Sequence, residues 1–292
     1  QPEYAPLMCR VWEETVLLAP EDVLHAFGMS VYGAMAPMVG HPNSPVIMEP
    51  IFAIDMHVRA LPTARLGAMA GIMRATHLDQ AILASLCREN DMYHVRQRCA
   101  ILVSRMALTM PPPTFHDMVR ATTRWPDLCR CLISTSVMLT HARSRKLVAL
   151  GLAHILRHAS AEDTGLLSAV PDMIGLWTEV LGEVVEDEAG SADRYEREMS
   201  PTRALEIGED GIPFLDEFGL IETASTPSSA RTDAVRKRDP AFTVPLRAYV
   251  ADTLNTVLQD GSHKTELQSL LATIDPLVLD TLQRGLSERP AA

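Results

Sequence analysis

Aromatic residues make up only 5 % of this 292-residue chain, and strict apolar–polar alternation is missing. A half-buried strand alternates with period two, so that absence argues against a sheet architecture. No uninterrupted apolar run approaches the ~18 residues that a membrane helix needs, and no span is expected. Basic residues are in deficit, with 26 Lys and Arg against 37 Asp and Glu, a formal net charge of −11. Direct nucleic-acid binding rests on cations that neutralise phosphates, and is not expected. The chain opens on Gln1, with no basic start, apolar core and small-residue cleavage site behind it. It is therefore expected to be a piece of a longer protein without a secretory leader.

The known catalytic signatures are missing too. There is no P-loop, no GxGxxG after a strand, no GxSxG elbow and no HExxH. His154 and His158 stand at i and i+4, but no carboxylate lies between them and Arg157 would repel a cation. His57, His77, His94 and His116 are scattered one per helix and are expected to be partly buried polar groups. The five cysteines lie at 9, 87, 99, 129 and 131. One residue between Cys129 and Cys131 is too few for an ordinary disulfide or a zinc knuckle. All five are expected to be reduced and to act as small core hydrophobes. No catalytic residue, metal or cofactor is expected, and the chain is not expected to be an enzyme.

What is present is helical periodicity. The apolar residues Leu7, Met8, Val11, Trp12 and Val16 recur at spacings of three and four. Val23, Leu24, Phe27, Val31 and Met35 repeat the pattern after Pro20, Glu21 and Asp22, a favourable helix start. Further helices are expected at 47–61, 64–75, 79–89, 93–109, 114–123, 127–141, 144–158 and 163–187. Pro62 stops one, Asp79 and Thr114 fit N-caps, and the triplet Pro111 to Pro113 enforces a break. Short helices on short loops must double back, and hairpins too thin to bury their own stripe must stack. That pattern fits an all-α solenoid of antiparallel hairpins or a globular helical bundle. The stretch Leu147 to Leu156 is apolar on most faces and is expected between layers. Gly151 and Ala153 there allow close approach, and Leu150→Ala is expected to destabilise by about 2–5 kcal/mol.

From Glu179 the composition changes. Residues 179–222 carry 14 acids and 3 bases, which is the whole of the net negative charge. The expected organisation is a helical stack over 1–187, an acidic loop over 188–239 and capping helices over 240–292. Paired acids such as Asp216 and Glu217 in a solvated loop lack the desolvation that tunes a catalytic pair. Between Asp187 and Asp193 the order of an EF-hand is missing. The basic run Val235 to Arg238 is too short for a localisation signal. Order returns at Asp239-Pro240, followed by apolar positions from Val244 to Leu258 with Thr243 and Pro245 at the helix start. Leu267 to Ile274 form another helix, and Pro276 opens the last.

Three stretches together resemble the importin-β (karyopherin) family of nuclear transport receptors. Arg143 to Leu156 is similar to the basic start and Leu/Ala run of a late HEAT helix. Ile174-Gly-Leu-Trp177-Thr-Glu-Val-Leu181, with its acidic run and Arg194-Tyr195-Glu196, resembles the last long helix leading into an acidic insertion. Arg236 to Leu246 resembles a basic cluster plus Asp-Pro-x-x-Thr-Val-x-Leu, followed by Ile274-Asp275 and Leu279 to Leu282. The resemblance covers about residues 127–292; the first 126 match only as generic HEAT-like helices, and Gly208 to Ile221 departs from the family pattern. It implies stacked HEAT repeats at the carboxyl end of a superhelical receptor. It further implies a protein cargo, Ran-GTP bound through amino-terminal repeats, Phe-Gly nucleoporins, and shuttling between cytoplasm and nucleus. Family cargoes include a ubiquitin-conjugating enzyme and a ribosomal protein. A mobile acidic segment favours a basic cargo, so Glu183, Glu186, Asp187, Glu188, Asp193, Glu196 and Glu198 are candidate contact residues. A scaffold subunit of the same fold, with no transport role, is the alternative.

Overall fold

The computed structural model describes residues 4–41, 48–88, 93–160, 162–163, 165–188, 231, 234–235, 237–259 and 264–287, with backbone alone at 5 and 184–188. Most of the acidic loop expected at 188–239, including Gly208 to Ile221 and Arg236, lies outside the described residues. The helices are α1 (Ala5–Leu18), α2 (Pro20–Gly40), α3 (Met48–Ala60), α4 (Thr63–Ala75), α5 (Leu78–Cys87), α6 (Tyr93–Thr109) and α7 (Pro112–Arg120). They continue with α8 (Trp125–Ser136), α9 (Ala142–Arg157), α10 (Val170–Glu188), α11 (Pro240–Thr243), α12 (Leu246–Gln259), α13 (Lys264–Leu271) and α14 (Pro276–Ser287). No strand occurs among the described residues.

The helices form two rows. α1, α3, α6, α9 and α12 pack one on the next along one side, and α2, α5, α8, α10 and α14 do so along the other. Each unit touches chiefly the units beside it, which is the organisation of an all-α solenoid and not of a globular bundle. The units are richer than the hairpins expected from sequence. Between its two row-forming helices each of the later units inserts a further element: α4, α7, the 3₁₀ turn Leu166–Ala169, or α13.

Local chemistry explains most boundaries. Proline stands in the first turn of α1, α2, α7, α8 and α11, where its missing N–H is no loss. Several expectations shift. Asp79 is not the N-cap of α5: His77 holds that place at φ 59°, and Asp79 is buried in the first turn. Thr114 lies inside α7, which starts at Pro112. α8 ends at Ser136 and not at 141, and α10 begins at Val170 after the 3₁₀ turn. α13 ends at Leu271, so Ile274 falls beyond it. Leu7, Val11 and Phe27 continue their apolar stripes but stand exposed, because the stripes are wider than the faces their neighbours cover.

α2 is long and apolar enough to cross a membrane by length and composition, contrary to the sequence expectation. In the fold it packs against α1, α3, α4 and α5, burying Val23, Leu24, Tyr32, Met35 and Val39. It also carries Glu21 and Asp22 in its first turn. A buried helix passes the same compositional test as a span, and α2 is a core helix by its contacts.

The core is continuous along the stack. Leu150 is fully buried, as its sequence setting predicts. Gly151 is required by contact: a Cβ there would lie 2.8 Å from Ser104 Cβ and 2.9 Å from Ser104 Cα, so α9 and α6 meet almost backbone to backbone. Near the start of the chain His57 is fully buried, not partly. Its Nε2–H donates to the Pro20 carbonyl at 3.0 Å, so Nδ1 accepts from the Tyr32 hydroxyl at 2.7 Å. Burial holds this imidazole down at about 4, against the partial pull of the Pro20 hydrogen bond.

Candidate functional site

The acidic segment begins on the last two turns of α10. Glu179 and Glu183 sit one turn apart and both engage Arg145 of α9, Glu179 at 2.8 Å. Glu183 is thus tied to the neighbouring helix while remaining exposed. Glu186, Asp187 and Glu188 close the same helix, where only their backbone is described. Asp193, Glu196 and Glu198 lie outside the described residues. The sequence of the last turn of α10 holds acids and no basic residue, at the end where the helix dipole already leaves negative potential.

The chain returns from this tract at a buried ionic cluster. Asp239 caps α11 by accepting the Ala241 N–H at 2.9 Å on one carboxylate oxygen. The other oxygen accepts Arg105 Nε of α6 at 2.7 Å and faces Arg59 Nε of α3 at 3.4 Å. Arg59 Nη2 also binds Asp55 at 2.6 Å, and Arg105 Nη1 binds the second oxygen of Asp55. Two guanidinium ions and two carboxylates thus neutralise each other inside the stack. Burial pushes the Asp55 carboxyl up, but the two arginines outweigh it and hold it below the ordinary range. A cavity of about 250 Å³ opens beside the cluster, rimmed by Leu61, Pro62, Thr63 and Arg238. The sequence showed Asp239-Pro240 as a return of order, and Asp55 and Arg59 were not singled out there. Nothing in spacing linked them to Arg105.

A second buried carboxylate organises the turn before α10. Asp163 accepts Arg120 Nε at 2.9 Å, Trp125 Nε1 at 2.8 Å and His116 Nδ1 at 2.9 Å. The Ser160 N–H adds a bond of 2.8 Å. Burial raises this carboxyl, but the Ser160 bond and the His116 and Arg120 contacts prevail and bring it to about 2. His77 is exposed and His94 half-buried. His154 and His158 face each other at 4.5 Å, and His154 Nδ1 meets the Tyr249 hydroxyl of α12. Burial, then the nearby His158, His116 and Arg157, holds His154 at about 4. Among the described residues no group of three or more His, Cys, Asp or Glu is arranged to hold a metal ion.

An open groove of about 420 Å³ runs between α1 and α2, lined by Tyr4, Leu7, Val11, Trp12, Phe27 and Val31. Its wall is almost wholly apolar, a surface of the kind that marks protein contacts. Leu7, Val11, Trp12, Phe27 and Val31 read from the sequence as the apolar stripes of two helices, not as a groove, and Tyr4 was not singled out.

A family model described as importin-11-like, TPR repeats, matches residues 1–287. The match extends the likeness through the first 126 residues, where the sequence alone gave only generic helices. It names the repeats TPR where the sequence resemblance named HEAT; both are antiparallel helical units that stack. No curated protein and no solved structure matches.

Proposed function

Because the chain belongs to the importin-11-like family, we propose that it is part of a karyopherin-type transport receptor that binds a protein cargo and carries it through the nuclear pore. The family match over residues 1–287 carries this reading. The two-row solenoid supports it, since a stack of repeats offers an extended surface on which another protein can lie. Ran-GTP, engaged by amino-terminal repeats of such a receptor, would release the cargo, and Phe-Gly nucleoporins would be met in transit. Shuttling between cytoplasm and nucleus follows from that role, as does the lack of a catalytic centre.

The acidic end of α10 is the part we assign to cargo. Glu183, Glu186, Asp187 and Glu188, continued by Asp193, Glu196 and Glu198, would attract a basic partner such as a ribosomal protein. A ubiquitin-conjugating enzyme is the other cargo class within this reading. Long-range attraction raises encounter rate and gives a salt-dependent affinity.

The test is a pull-down from cell extract with the full-length protein, with and without Ran-GTP. Proteins released by Ran-GTP are expected. A bound set indifferent to Ran-GTP would favour a scaffold subunit with no transport role.

A further inference from the structure

The cavity beside the buried ionic cluster gathers donors from three separate elements. Arg105 of α6 lines it, with a wholly inaccessible side chain. Its Nε donates to Asp239 and its Nη1 to Asp55. Its Nη2 is buried and meets no acceptor among the described residues. A buried guanidinium nitrogen has lost its hydration, so such a donor calls for an acceptor. Arg238 is a second cation, exposed at the rim in the turn before α11. No ion pair among the described residues engages it.

The start of α4 is the third element. Thr63 and Leu66 of its first turn line the cavity. Pro62 stands at the N-cap, and no side chain caps this 13-residue helix. The Arg65 N–H turns back to the Pro62 carbonyl at 2.8 Å, but Thr63 and Ala64 come too early for an acceptor within the helix. Uncapped N–H groups at the positive end of a helix dipole attract an anion.

Charge decides which anion fits. Arg59 and Arg105 are balanced by Asp55 and Asp239. Asp239 also lines the cavity, but both its oxygens already accept, one from the Ala241 N–H and one from Arg105. Arg238 adds one positive charge and the α4 terminus about half of one. That surplus of about 1.5 matches a phosphate monoester, which carries about −1.5 to −2 at neutral pH. A carboxylate brings one charge and accepts in a single plane. The donors here come from α6, α4 and the rim, and a tetrahedral phosphate can turn an oxygen to each. A volume of about 250 Å³ leaves room beside the phosphate for a small organic group against Val58 and Leu61.

We propose that this cavity binds a phosphate group, held by Arg105 Nη2, Arg238 and the first N–H groups of α4. The group is borne by inorganic phosphate or by a small phosphate monoester. Bound there, it bridges α4 and α6 to the turn through which the chain enters α11.

The test is calorimetric titration of the whole chain at pH 7 in phosphate-free buffer, against sodium chloride at matched ionic strength. One arm uses inorganic phosphate and the other glycerol 3-phosphate. A single saturable site is expected. Tighter binding of the ester assigns the site to a small organic phosphate; equal or weaker binding assigns it to the free ion. Arg238→Gln should weaken binding by about fivefold or more, since it removes a charge-assisted hydrogen bond. Thr63→Pro keeps a favourable helix start but removes its first N–H, and should weaken binding by about twofold. Arg124→Gln, at the exposed N-cap of α8, should leave affinity unchanged. No saturable binding in either arm would overturn the proposal. So would unchanged affinity in Arg238→Gln or Thr63→Pro, or an equal loss in Arg124→Gln, which would reduce the effect to diffuse screening.

Discussion

Asp163 and Asp239 are both nearly inaccessible, at 5 % and 2 % exposure, and each collects cations and N–H donors. They differ in how far apart in the chain their partners lie. Asp163 draws on α7, the start of α8 and its own turn, its farthest partner 47 residues away across α9. Asp239 draws on α3 and α6, with the whole acidic tract between. The first shapes a local turn. The second decides where the chain re-enters the stack, and so where α12 to α14 can settle. Lengthening a closed loop adds only about 0.6 kcal/mol per doubling, so one buried cluster suffices to anchor the return.

The largest expected effect breaks the long-range cluster. Arg105→Ala leaves Asp55 and Asp239 with only Arg59 between them, two buried carboxylates against one cation, and should destabilise by about 3–5 kcal/mol in chemical denaturation. A loss under about 1 kcal/mol would mean that the cluster is hydrated and that Asp239 is no anchor. Asp163→Asn should come next, at about 1–3 kcal/mol, since it weakens several buried hydrogen bonds at once. Amide exchange separates the two carboxylates. Asp239→Asn should lower protection throughout α12 to α14, whereas Asp163→Asn should leave those helices as they were. Equal loss in both variants would erase the distinction drawn here.

Acid titration sharpens the same comparison. His57 and His154 sit at about 4 in the fold, below the ordinary value of about 6.5 for an unfolded histidine. Their neutral burial stabilises fully above that ordinary value and is lost as pH falls through about 4. Asp163, at about 2, contributes above the ordinary carboxylate range and loses its contribution as pH falls through about 2. The melting temperature should therefore fall in two stages, and Asp163→Asn should diminish only the lower one, to which Asp55 also contributes. A melting temperature flat from pH 7 to 4 would contradict the histidine assignments.

The smallest effect on stability belongs to the acids at the end of α10. Changing Glu183, Glu186, Asp187 and Glu188 to Gln should alter stability by less than about 1 kcal/mol, because exposed pairs such as Glu183 with Arg145 contribute little. The same change should weaken binding of a basic cargo several-fold at low salt and less at high salt. Unchanged affinity at low salt would remove the acidic tract from the cargo surface.

Helices and their order were legible because prolines and apolar spacing act within a few residues. Pro111 to Pro113 mark a break, though the helix starts at Pro112 and not at Thr114, and Leu147 to Leu156 announces a central helix. Where a boundary depended on backbone shape the sequence misled: a left-handed His77 displaced Asp79 from its cap. The acidic tract was legible from composition alone, without geometry. The buried ionic cluster was not legible. Arg105 and Asp239 are brought together only by the path of the stack, and no local pattern encodes that path.

The touching backbones at Gly151 and Ser104 have a mechanical consequence. At that crossing no side chain stands between the two helices to be compressed, so bending of the stack would have to be taken up at other crossings, where side chains separate the backbones.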